Sequence, residues 1–89
     1  MSKYNVLIAD SVIEFLDKLG TNERERIIKR IEKLKENPYS VGEPRGKFWL
    51  LKIGRSGYRI AYRVLEGEKA IRITAIEKRK SWKYKDFYR

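Results

Sequence analysis

The chain has 89 residues, with 22 Lys and Arg against 12 Asp and Glu for a formal charge of +10, and it contains neither Cys nor His. That length holds one small domain. The missing thiols and imidazoles exclude disulfides, the usual zinc sites, and mechanisms that pair Ser or Cys with His.

Acid–base chemistry is therefore left to Lys, Tyr, Asp, Glu and Arg. No apolar stretch approaches the roughly 18 residues needed to cross a bilayer. The run from Val6 to Ala9 is too short for a secretory h-region. The expectation is a cytoplasmic protein with no membrane partner. An apolar fraction of 42% is ordinary for a folded chain, so the charge does not signal disorder. The absence of Gln, the single Met and the abundance of Lys, Glu and Ile match a heat-adapted composition.

Tyr4, Val6 and Ile8 alternate with Asn5, Leu7 and Ala9, which predicts a short first strand. Ser11 followed by Glu14 has the form of a capping box. The helix it predicts puts Val12, Phe15, Leu16 and Leu19 on one face, with Gly20 as its stop. Asn22 with Glu25 repeats the capping signal for a second helix. That helix turns Ile27, Ile28, Ile31 and Leu34 inward and ends at Asn37-Pro38. The two make a helical hairpin. From Asn37 to Lys47, Pro38, Ser40, Gly42, Pro44 and Gly46 predict a loop.

The period then changes to two. Strands are expected over Phe48 to Ile53, Tyr58 to Leu65 and Ala70 to Lys78, with turns at Ser56-Gly57 and at Glu66-Gly67-Glu68. On the middle strand Tyr58, Ile60, Tyr62 and Val64 share an apolar face, and Arg59, Ala61, Arg63 and Leu65 share the other. On the last strand strict alternation groups Ile71, Ile73 and Ala75 against Arg72, Thr74, Ile76 and Lys78. Phe48 and Trp49 point to opposite faces. The expected fold is α+β in the order β-α-α-β-β-β, one domain over residues 1–89. An antiparallel sheet packs on the helical hairpin, and a basic, aromatic tail follows from Arg79 to Arg89.

The charge is unevenly placed. Residues 1–44 carry eight basic and eight acidic side chains, and residues 45–89 carry fourteen basic and four acidic. The whole net charge lies in the second half, which points to a polyanion partner, with a solvated surface as the alternative. A helical hairpin covers one side of a sheet and leaves the other to water or a ligand. Arg59, Arg63 and Arg72 fall on that open side. Neighbouring arginines repel unless an anion lies between them, and the guanidinium fork suits phosphate. Pairing with Glu66, Glu68 or Glu77 is the structural alternative, but three acids do not neutralise this half.

The element order, the segment Leu50-Leu51-Lys52-Ile53, the run Ser56-Gly57-Tyr58-Arg59-Ile60-Ala61-Tyr62, and Lys78-Arg79-Lys80-Ser81 with Tyr84 resemble the RelE/ParE toxin superfamily. The resemblance covers nearly the whole chain. It implies a RelE-like toxin of a type II toxin–antitoxin pair. Such a toxin is a metal-independent endoribonuclease, with no cofactor, that cuts messenger RNA in the ribosomal A site. The family's motif arginine falls on Arg59, its strand lysine on Lys52, the arginine after the last strand on Arg79 or, with a slip of one, on Lys80, and the tail tyrosine on Tyr84. A second strand lysine of some members falls on Leu50.

RNA supplies its own nucleophile, so attack by the 2′-OH would leave a 2′,3′-cyclic phosphate and a 5′-OH end. In that scheme Arg59 and Arg79 steady the phosphorane, Lys52 is a candidate base or a solvated strand residue, and Tyr84 contacts a splayed base. Lys47, Arg55, Arg63, Arg72, Lys78, Lys80 and Lys83 are candidate RNA contacts. Lys29, Lys33 and Lys47 are candidates for ribosomal RNA. Tyr58 and Tyr62 read as core. Trp82, Phe87 and Tyr88 either close the core or form the surface covered by a cognate antitoxin. The competing readings are a ParE-like DNA gyrase inhibitor and a non-catalytic nucleic-acid-binding module.

Overall fold

The computed structural model describes residues 3–54 and 57–78. The strands are β1 (Asn5–Ile8), β2 (Glu43–Arg45), β3 (Phe48–Ile53), β4 (Tyr58–Leu65) and β5 (Ala70–Lys78). The helices are α1 (Asp10–Asp17), α2 (Thr21–Glu36) and the single turn α3 (Pro38–Val41). The five strands form one sheet in the order β1-β5-β4-β3-β2. The α+β order and the helical hairpin agree with the expectation. Two elements are additional: α3 and β2 occupy the predicted loop. The sheet is antiparallel except at its edge, where β1 runs parallel to β5. The helices and three strands separate β1 from β5 in the chain, so no short connection restricts the pair to antiparallel.

The expected helix caps do not form. Ala9 and Gly20, both extended, precede α1 and α2 without a side-chain cap, because β1 runs straight into α1 and only Lys18 to Gly20 separate the helices. Gly20 therefore leads into α2 rather than ending α1. Glu23 in the first turn of α2 and Lys33 and Lys35 in its last suit the helix dipole. The cap that does form belongs to α3, where Asn37 Oδ1 accepts from Tyr39 N at 3.2 Å, with Pro38 at the first helical position.

Val12 and Leu16 of α1 and Ile27, Ile31 and Leu34 of α2 pack on Leu51, Ile53, Tyr58, Ile60, Tyr62, Ile71, Ile73 and Ile76. Each such aliphatic side chain contributes about 1.5–3 kcal/mol by leaving water. Ile28, expected inside, is exposed. It lies one position beyond Ile27, about 100° around the helix and off the buried stripe.

The largest correction concerns β5. Opposite Ala61 stands Ala75, but opposite Tyr62 stands Ile73, so Thr74 is an extra residue and the ladder bulges there. An inserted residue reverses the side-chain phase beyond it. Ile76 therefore joins the core opposite Ile60, Ala75 and Glu77 turn to the open face, and Lys78 stands across from Tyr58 on the helix side.

Candidate nucleic-acid interface

Cross-strand partners share a face, so the register builds the open side of the sheet in rows. Lys52, Arg59 and Glu77 form the first. Leu50, Ala61 and Ala75 form the second. Arg63 and Arg72 form the third, with Leu7 beyond Arg72 on β1. Consecutive rows are about 7 Å apart along a strand. The turn holding Gly54 and Gly57, at φ 34° and 80°, reverses the chain between β3 and β4. It thereby places Lys52 directly opposite Arg59.

Arg59 is the one buried charged side chain among the described residues, at 7% exposure. Burying a guanidinium in so basic a region is unfavourable unless it meets an anion or other polar partners. A cleft of about 60 Å³ bounded by Lys52, Gly54, Gly57, Tyr58 and Arg59 leads to it. Lys52 is exposed and its Nζ lies 3.4 Å from Glu43 Oε1. The other oxygen of that carboxylate takes Arg45 Nη2 at 3.0 Å. From the helix side, Arg30 Nη2 donates to the Lys52 carbonyl at 3.1 Å and fixes the end of β3. Neither Arg30 nor Glu43 was legible as a site residue. Arg30 reads as an ordinary cation on a helix, and Glu43 lies in a segment of turn residues.

Tyr58 Oη donates to Glu23 Oε2 at 2.6 Å. That bond, with burial, raises its pKa. Burial alone pushes Tyr62 up to about 12. Both phenols stay protonated and serve packing, as expected. Lys78 Nζ lies 5.7 Å from the centre of the Tyr58 ring, away from the row of Arg59. Glu66, offered as a neutraliser of the arginines, is engaged elsewhere: it accepts from Tyr4 at 2.6 Å, from Tyr39, and from Lys69 at 3.0 Å. Glu77 does share the open face. Lys29 and Lys33 are exposed on α2, and Lys47 is exposed in the β2–β3 turn. Arg55, Arg79, Lys80, Lys83 and Tyr84 lie outside the described residues, as do Trp82, Phe87 and Tyr88. Among the described residues no cluster of acidic side chains is arranged to hold a metal ion, and no helix is long and apolar enough to cross a membrane.

The family model of the ParE toxin of the type II toxin–antitoxin system parDE matches residues 6–81. The chain belongs to the RelE/ParE superfamily of type II toxins. Among solved structures this toxin is similar to an E. coli RelE variant with two arginines replaced by alanine, in the free state. The two are 25% identical with a TM-score of 0.75, over 88% of this chain and 84% of that one. The isolated E. coli RelE toxin is 22% identical with a TM-score of 0.77, over 96% and 94%. The archaeal RelE–RelB complex from Pyrococcus horikoshii OT3 is 23% identical with a TM-score of 0.70, over 90% and 99%. The last two show the shared fold alone. No significant match was found among curated proteins.

Proposed function

We propose that this toxin is a ribosome-dependent endoribonuclease that cuts messenger RNA in the A site, working in the cytoplasm under the control of a cognate antitoxin. The observation that carries the reading is the pairing of Lys52 with a buried Arg59 on a sheet face whose third row is cationic. A phosphate reaching Arg59 exchanges water for a preorganised charge, which favours the phosphorane over the diester. The 2′-OH loses its proton to a base, its oxygen attacks phosphorus, and the P–O5′ bond breaks. The leaving oxygen takes a proton, giving a 2′,3′-cyclic phosphate and a 5′-OH end. Lys52 is the described side chain placed to exchange a proton or hold a non-bridging oxygen. It has to leave Glu43 to do so. Arg79 and Tyr84 are assigned by resemblance alone. Ribosomal RNA contacts are assigned to Lys29, Lys33 and Lys47, and the antitoxin to the RelB type, since the similar structures include RelE–RelB complexes.

The test is primer extension on message held in programmed ribosomes, with wild type beside Arg59→Lys, Lys52→Ala and Arg79→Ala. Cuts in the A-site codon, absent on free RNA and weakened about 100-fold or more by Arg59→Lys, are expected. Intact message at equal ribosome occupancy sinks the proposal. The match to a ParE family model favours one second reading, poisoning of DNA gyrase. Inhibition of supercoiling by the wild type, with no cut on the ribosome, would establish it instead.

A further inference from the structure

We propose that Arg63 and Arg72, with the cavity beside them, form a second subsite that takes one phosphodiester and one base of single-stranded RNA. The inference rests on reading the open face as the nucleic-acid surface, and it adds a substrate length and path to that reading.

Arg63 and Arg72 are direct cross-strand partners, and both are exposed. Neither makes an ion pair among the described residues. Of the acids nearby in sequence or on this face, Glu68 is exposed and makes no ion pair with either arginine among the described residues, and the other three are held or placed elsewhere. Glu43 is held by Arg45 and Lys52, Glu66 by two tyrosines and Lys69, and Glu77 stands two rows away opposite Arg59. Like charges placed directly opposite destabilise a sheet. Two guanidinium forks side by side suit a single shared phosphate, which turns that repulsion into binding.

A cavity of about 330 Å³ adjoins the pair, lined by Lys47, Phe48, Ala61, Arg63 and Thr74. Its floor is apolar. The Thr74 hydroxyl is already committed to the Ala61 carbonyl at 3.2 Å, which leaves its methyl group for contact. Thr74, the extra residue of the bulge, lines this space where the strand bends. The uncharged middle row of Leu50, Ala61 and Ala75 separates the two cationic rows. Leu50 and Ala61 are buried and Ala75 is exposed, so the base enters the cavity beside Ala61, between two held phosphates. Arg63 lies four residues along β4 from Arg59, about 13 Å. Stacked bases rise about 3.4 Å per nucleotide, so the span takes about four internucleotide steps, the reach of a hexanucleotide, and fewer if the strand is pulled taut.

The experiment is fluorescence anisotropy of the full chain with 2′-O-methyl oligouridylates from dinucleotide to octanucleotide, which lack the attacking hydroxyl. Affinity is expected to rise in a step by the hexanucleotide. In the double variant Arg63→Ala/Arg72→Ala the step disappears, octanucleotide affinity falls about tenfold, and the salt slope drops by about 0.7, one phosphate's worth for a single strand. An octanucleotide made abasic at its centre keeps the wild-type slope and loses affinity. A step that survives in the double variant overturns the subsite. Additive single effects totalling a slope change of about 1.4 overturn the shared cradle. An abasic strand that binds as well as the intact one overturns the base pocket.

Removing either arginine relieves repulsion, so neither variant melts below wild type. Arg72→Glu, which pairs with Arg63 across the strands, must also lose the step while folding. Absence of ribosomal cutting by the wild type refutes the nuclease reading and leaves the length step standing. Cutting without any length step refutes this subsite alone.

Discussion

Gly42, between α3 and β2, has φ −100°, a backbone conformation open to any residue. Space is what forbids a side chain there. An added Cβ would stand 2.9 Å from Tyr62 Cζ and nearer still to its hydroxyl oxygen. Tyr62 has nowhere to go. It is fully buried, stacked on Trp49 at 6.4 Å between centroids, and its Oη donates to the Pro38 carbonyl at 2.6 Å. Gly42→Ala must break that bond or push β2 away from β3. Overpacking costs about 1–3 kcal/mol, and a stranded buried carbonyl costs about 1–3 kcal/mol. A combined loss of about 3 kcal/mol lowers Tm by about 12–24 °C in a domain of this size. Tyr62→Phe alone strands the carbonyl and costs about 1–2 kcal/mol. It also deletes the atom the new methyl strikes hardest. The double variant should thus be more stable than the sum of the singles by about 1–2 kcal/mol. Thermal and urea melts of all four proteins measure the cycle. A Gly42→Ala protein melting within about 3 °C of wild type, or strict additivity, would refute the reasoning.

Glu66 is held at about 2 by hydrogen bonds from Tyr39, Tyr4 and Lys69, against an ordinary 4.5. Its folded pKa lies below the unfolded one. The stability it contributes is therefore full above about pH 4.5 and fades as pH falls toward 2. Glu66→Gln should flatten Tm against pH in that window, and parallel wild-type and variant profiles would count against the cluster. Glu43→Gln releases Lys52 and Arg45. Exposed pairs of this kind are worth about 0.2–1 kcal/mol, so RNA affinity should rise by up to about fivefold in anisotropy at low salt, and an unchanged or weaker affinity would refute the competition. Tyr58→Phe removes the bond to Glu23 and should cost about 1–2 kcal/mol, read in urea melts. A loss under a few tenths would mean the bond holds nothing.

What the sequence made legible is what local chemistry decides. The α1 and α2 stripes follow from a 3.6-residue period. The hairpin of β3 and β4 follows from its turn at Ser56-Gly57, although the register that sets Lys52 opposite Arg59 comes from the structure. What it hid depends on pairing between distant segments. Nothing in Glu43-Pro44-Arg45 favours a strand, yet Phe48 to Leu50 offer an open edge and the three residues dock on it. Ser11 and Glu14 have the form of a cap, but the chain enters α1 from a strand whose end is tied by Ala9 N to the Ile73 carbonyl at 3.0 Å, so the helix starts earlier. Thr74 carries no local mark of a bulge, and strict alternation beyond it misplaces Ala75, Ile76 and Lys78.

That bulge decides how one strand serves two purposes. Without it, Arg72 and Ile76 would fall on the same face, and a core that needs Ile71, Ile73 and Ile76 together could not have all three. With it, β5 gives the helices a continuous apolar strip and still sets Arg72 beside Arg63 and Glu77 beside Arg59. Packing alone could be met by an unbulged strand with apolar residues at the right alternate positions. The additional requirement is the spacing of charges on the open face: a buried arginine with a carboxylate across from it in one row, and an arginine pair without a described ion-pair partner two rows away. A sheet shaped only for stability gains nothing from that third row, because opposed like charges weaken it. In the proposed subsite an anionic ligand supplies the missing term, and the uncharged middle row sets how far apart its phosphates must be.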